Sequence, residues 1–117
     1  RKSCDMKTKI INYNRKKIEV CIEDEQKGRS FDEIEIPKGW KLWTHQMCIA
    51  LHNDKELRKE LNLESCSFWI AQFFEFNKET GHFAWFYAYS VRVGFACSEE
   101  PRDSFGRLGV RFWREVK

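Results

Sequence analysis

The sequence predicts an α+β fold, two helices packed on antiparallel strands, and three observations point to it. Several runs alternate apolar and polar residues with period two, as half-buried strands do. Two consecutive segments, Thr44 to Asn53 and Asp54 to Leu61, open on capping residues and continue in helix-forming ones. Past residue 65 the chain turns aromatic: 14 of its 18 aromatic residues lie between Phe68 and Trp113, a composition suited to packed strands.

The elements follow in order. Residues 8–13 and 18–23 flank Asn14-Arg15-Lys16-Lys17 and read as a hairpin. Asp24 to Arg29 is polar, contains Gly28, and reads as a loop. Glu33-Ile34-Glu35-Ile36 alternates and stops at Pro37-Lys38-Gly39, which predicts a short strand and a turn. Thr44 is the expected N-cap of a helix over roughly 45–53, and Asn53 or Asp54 that of a second helix reaching about Leu61. Strands are expected at about 66–76, 82–90, 92–97 and 108–116, with turns at Asn77 to Gly81 and around Pro101.

With 117 residues, the chain has the length of one domain, 1–117. Hydrophobic residues at 42% and charged ones at 33% describe a globular protein and exclude a disordered tail. No uncharged run exceeds about a dozen residues, too few to span a bilayer as a helix. The opening Arg1-Lys2-Ser3-Cys4-Asp5 has no apolar segment behind it, so no secretory signal is expected and the final location is left open. The net charge of +3 is spread among alternating acids and bases. Arg15-Lys16-Lys17 and the set Arg107, Arg111, Arg114 and Lys117 read as solvated strand edges, so no nucleic-acid partner is expected. Five cysteines, Cys4, Cys21, Cys48, Cys66 and Cys97, are odd in number and widely separated. That argues against both a zinc ribbon and a disulfide scaffold, and fits a reducing compartment.

The segment His82 to Ser90 is the most informative. Its even positions after His82 are Ala84, Phe86, Ala88 and Ser90; its odd ones are Phe83, Trp85, Tyr87 and Tyr89. Either the strand is buried on both sides, or the tyrosine-rich face is a contact surface. Tyrosine and tryptophan offer large amphipathic area at low entropic cost.

Two motifs suggest a family. Ile36-Pro37-Lys38-Gly39-Trp40-Lys41-Leu42, followed by Thr44, resembles the P-x-G-W-R-L-P-T opening of C-type lectin-like domains of the formylglycine-generating-enzyme type, with Trp43 where proline is usual. Leu108-Gly109-Val110-Arg111-Phe112 resembles the closing strand of that fold. Ala84, Phe86, Ala88, Ser90, Cys97, Pro101 and Ser104 between them are similar in spacing to the variable proteins of diversity-generating retroelements, particularly archaeal and archaeal-virus ones. The resemblance covers about residues 30–117 and implies a C-type lectin-like fold whose region 82–112 is rewritten into a ligand-binding surface. It implies as contact positions Tyr87, Tyr89, Val91, Arg92, Gly94, Ala96, Ser98, Glu99, Arg102, Asp103, Phe105, Gly106 and Arg107. The expected partner is a protein or cell-surface ligand, and the expected state a monomer. Trp40, after its glycine turn, is expected in the core.

Catalytic readings fit less well. The oxidase relatives use two copper-binding cysteines, and Cys97 has no second one near it. His45, Cys48 and His52 share a helical face, yet nothing spaced with them completes a tetrahedral zinc set. Adjacent Glu99 and Glu100 would point to opposite sides of a strand. The loop from Ser98 to Arg107 gives calcium three carboxylates and no asparagine. No enzyme activity, metal or cofactor is therefore expected. The alternatives are a formylglycine-type oxidase and a structural subunit of a virion.

Overall fold

The computed structural model describes residues 6–75, 81–89, 92–98, 106 and 108–116, and they form an α+β arrangement of two helices and two four-stranded sheets. The first hairpin pairs β1 (Thr8–Tyr13) with β2 (Lys16–Cys21). Asn14 and Arg15 between them have φ of 49° and 65°, two consecutive left-handed residues whose twist matches that of the strands. Such a turn needs only two residues, so β2 starts two residues before the expected position.

Glu33 to Ile36 does not become a strand. Phe31–Glu33 is a 3-10 turn opened by Ser30, whose hydroxyl and backbone N–H both donate to the Glu33 carboxylate, at 2.9 and 3.0 Å. The Gln26 side chain then donates to the Glu35 carbonyl at 2.8 Å and accepts from the Glu35 N–H at 2.9 Å. One amide side chain thus satisfies the backbone groups that a neighbouring strand would otherwise have paired.

The short β3 (Lys41–Leu42) leads into α1 (His45–Asn53). Thr44 Oγ1 accepts from the Met47 N–H at 3.1 Å, capping the helix where the sequence places it. Asp54 ends α1 and caps α2 (Lys55–Glu60), accepting from the N–H groups of Glu56 and Leu57 at 3.0 and 3.1 Å. No helix among the described residues is long and apolar enough to cross a membrane.

The remaining strands are β4 (Ser65–Glu75), β5 (Gly81–Tyr89), β6 (Arg92–Ser98), β7 (Gly109–Val110) and β8 (Phe112–Glu115). One sheet runs β1-β2-β8-β3 and the other β6-β5-β4-β7. The single strand expected over 108–116 is therefore two strands in different sheets: β7 lies parallel to β4, and β8 antiparallel to β2 and β3. Gly109 permits the crossing. A Cβ there would stand 2.7 Å from the Glu25 carbonyl oxygen, and Glu25 exchanges both backbone hydrogen bonds with Val110, at 2.8 and 2.9 Å.

The chain changes sheet at Arg111, and this corrects the reading of that residue as a solvated strand-edge cation. Arg111 is only 1% exposed. Its Nε donates to the Asp24 carboxylate at 2.8 Å, and its terminal nitrogens donate to the carbonyls of Leu61 and Asn62 at 2.6 and 3.0 Å. Its guanidinium also lies 5.1 Å from the Phe68 ring centre. Arg114 does remain on the surface, while Arg107 and Lys117 lie outside the described residues.

The main core sits under α1, where Met47, Cys48 and Leu51 meet Phe68, Ile70, Ala84, Phe86 and Ala88. Burial pushes the Cys66 thiol up to about 12, that of Cys21 to about 11, and that of Cys48 well above its ordinary value. All three are free and pack as small hydrophobes. Trp43 is fully buried, with its ring 5.1 Å from that of Phe68 and its Nε1 donating to the Phe112 carbonyl at 3.2 Å. The motif's expected core tryptophan, Trp40, is only half-buried, at the margin of a smaller cluster of Cys21, Leu42, Val110 and Phe112. The Arg114 guanidinium covers it, 4.4 Å from the ring centre. Trp40→Ala should therefore cost about 1–2 kcal/mol, lost rim packing and one cation–π contact. Urea denaturation measures it, and a loss above about 3 kcal/mol would mean Trp40 carries core packing after all.

Candidate ligand-binding face

Strand β5 sorts its side chains by parity. Ala84, Phe86 and Ala88 are buried beneath α1, while Trp85, Tyr87 and Tyr89 on the opposite side are half-buried. Paired residues of antiparallel strands share a face, and the register sets Trp85 opposite Ala96, Tyr87 opposite Gly94 and Tyr89 opposite Arg92. Five of the expected contact residues, Tyr87, Tyr89, Arg92, Gly94 and Ala96, therefore stand on one outward side of the β5–β6 hairpin. On the other side Phe95 packs on Phe86 at 5.3 Å and on the His45 ring at 4.2 Å.

The outward face is half covered, for identifiable reasons. At the β4 end, the segment before β3 folds over it: the Trp69 Nε1 donates to the Arg29 carbonyl at 3.1 Å, and Phe31 meets the Trp69 ring edge-on at 5.8 Å. Trp69 is fully buried as a result, and Trp85 stands against it at 5.3 Å. Tyr87 leans the other way, across Gly94; a Cβ on Gly94 would lie 3.1 Å from the Tyr87 hydroxyl oxygen. A side chain at 94 therefore has to displace the tip of Tyr87, so the two positions are coupled. Tyr89 reaches back over β4 and donates its hydroxyl proton to Ser67 Oγ at 2.8 Å. Tyr89 is thus anchored, and both tyrosines are less accessible than free-standing contact residues would be.

The other expected contact positions are less informative. Ser98 is paired with Phe83 in the β5–β6 register, and Gly106 is exposed in a turn. Val91, Glu99, Arg102, Asp103, Phe105 and Arg107 lie outside the described residues.

Beside the Tyr89 end of the face is a crevice of about 410 Å³ lined by His52, Arg58, Glu64, Ser65, Ala88, Tyr89 and Val93. Nothing in the sequence points to it, because its residues come from two helices, three strands and the link before β4. Arg58 Nε donates to the His52 carbonyl at 2.8 Å, which fixes the guanidinium at the crevice wall. Burial, and then the Arg58 charge, hold the His52 imidazole below its ordinary pKa against the opposing pull of Glu64. Ser65, His52 and Glu64 are the residue types of a hydrolytic relay, but no hydrogen bond joins their side chains among the described residues.

His45, Cys48 and His52 do not converge. Cys48 points into the core, the His45 ring lies on Phe95, and the His52 ring meets Phe86 at 5.8 Å. Among the described residues, no group of three or more histidine, cysteine or carboxylate side chains is placed to hold a metal ion. Only the backbone of Cys97 is described, opposite Ala84. No protein-family model, curated protein or solved structure matches the chain.

Proposed function

We propose that the protein is a non-catalytic ligand-binding protein, a variable protein of a diversity-generating retroelement on a C-type lectin-like scaffold. The observation that carries this reading is the division of the β5–β6 hairpin into a packed side and an outward side. The packed side holds Ala84, Phe86 and Ala88; the outward side holds Tyr87, Tyr89, Arg92, Gly94 and Ala96. A surface that is rewritten while its scaffold persists needs such a division, because substitutions on the outward side leave the core packing in place.

The lectin-like part of the reading is supported by the placement of the closing segment. Leu108 to Phe112 runs from the edge of one sheet into the middle of the other and so joins the two. The shape of the face supports the proposed ligand class. The part left uncovered, around Tyr87, Tyr89 and Arg92, is aromatic and not enclosed, which suits a protein or cell-surface ligand better than a small molecule held in a deep pocket.

The test is the DNA beside the coding region. The expected result is a reverse-transcriptase gene and a near-copy of the segment encoding residues 82–112, differing from it mainly at adenines. Flanking DNA with neither would sink the retroelement reading.

A further inference from the structure

Of the four sheet edges among the described residues, β6 is built differently from the others. β3 and β7 are two residues long, too short to template another strand. β1 carries Lys9, paired with Glu60 at 2.8 Å, a charge of the kind that guards an edge. β6 runs for seven residues, Arg92–Ser98, in unbroken register with β5, and Arg92 is its one charged residue. Two exposed apolar side chains belong to this strand and to the helix that packs on it through His45. Val93 is 47% exposed, and so is 43% of Ile49, which lies one helical turn beyond the histidine stacked on Phe95. A long, unbulged, nearly uncharged edge with an apolar rim is the combination that native proteins rarely leave open.

We propose that β6 pairs antiparallel with β6 of a second copy of this chain, making a two-fold dimer with one continuous eight-stranded sheet. A two-fold axis at Phe95 sets Arg92 opposite Ser98 of the partner subunit, Val93 opposite Cys97 of the partner subunit, and Gly94 opposite Ala96 of the partner subunit. Residues of like parity then meet, so packed sides adjoin packed sides and outward sides adjoin outward sides. The charges favour this arrangement. Each Arg92 faces a neutral serine, and the two arginines end up about 20 Å apart, six strand residues at the usual rise. In-register parallel pairing would set them side by side. The dimer would also align two outward faces for one multivalent ligand. It requires no ligand, so it stands or falls separately from the proposed function.

Sedimentation velocity on the full chain, from low micromolar to near-millimolar concentration without ligand, tests it. Val93→Lys and Ile49→Lys change exposed positions, and thermal melts check that both variants fold. Ile10→Lys, at a residue 56% exposed on the β1 edge, is the control. The expected result is a concentration-dependent shift from monomer to dimer, weakened at least tenfold by Val93→Lys, weakened also by Ile49→Lys and unchanged by Ile10→Lys. A wild-type chain that stays monomeric throughout would overturn the proposal. So would association that Val93→Lys leaves intact or that Ile10→Lys disrupts equally, and so would pairing of this edge only with an added strand peptide.

Discussion

Arg111→Ala is expected to destabilise the protein by about 3–5 kcal/mol, the cost of removing one partner from a buried ion pair. The Arg111 and Asp24 side chains are 2% and 9% exposed, so solvent screens their interaction little. Asp24 would keep its bond from the Ser67 N–H at 3.1 Å but lose its only cationic partner among the described residues. The carbonyls of Leu61 and Asn62, left over where α2 ends, would lose their donors as well. Three segments distant in sequence would come apart at one point: the loop after β2, the end of α2 and the β7–β8 crossing.

Arg111→Lys should recover only part of the loss. A lysine is a point charge on a flexible stem, whereas these three acceptors surround a planar fork. Pairing Arg111→Met with Asp24→Asn supplies the decisive comparison, since the double variant leaves no unpaired charge behind. Its loss should fall clearly short of the sum of the two single losses in urea denaturation. Additive losses would mean that the ion pair is not what holds the crossing.

The contrast between what the sequence reveals and what it hides follows the range of the forces. The caps at Thr44 and Asp54 act within three residues, and both helices are legible for that reason. The sorting of β5 is legible in its alternation, because small residues and Phe86 mark one side and large aromatics the other. Glu33 to Ile36 alternates just as well, yet Gln26, nine residues from Glu35, satisfies its backbone instead of a strand. Arg111 is illegible because its partners lie 87, 50 and 49 residues away and its strand changes sheets there. The exchange of roles between Trp40 and Trp43 has a related cause: which of two nearby tryptophans enters the core depends on where β3 meets β8. In the candidate face the parity of β6 relative to β5 could be counted in the sequence. The hydroxyl contact of Tyr89 with Ser67 and the lean of Tyr87 over Gly94 could not.

Phe86→Ala should cost about 3–5 kcal/mol, while the tyrosines on either side of it should tolerate change. Phe86 is fully buried and meets the rings of Phe68 at 5.6 Å, Phe95 at 5.3 Å and His52 at 5.8 Å by centroid; Phe68 in turn packs on Trp43. Truncation opens a cavity beneath α1 that the surrounding helix and sheet can only partly fill. Tyr89→Phe removes one partly buried hydroxyl contact and should cost about 1 kcal/mol. Tyr87→Ser, which uncovers Gly94 without opening the core, should cost about the same. Thermal melts of the three variants decide between the two readings of this strand. A steep loss at Phe86 beside shallow ones at Tyr87 and Tyr89 fits a face free to change its chemistry over a fixed core. Three equal losses would make the tyrosines part of that core, and the outward face could not then be a surface that varies.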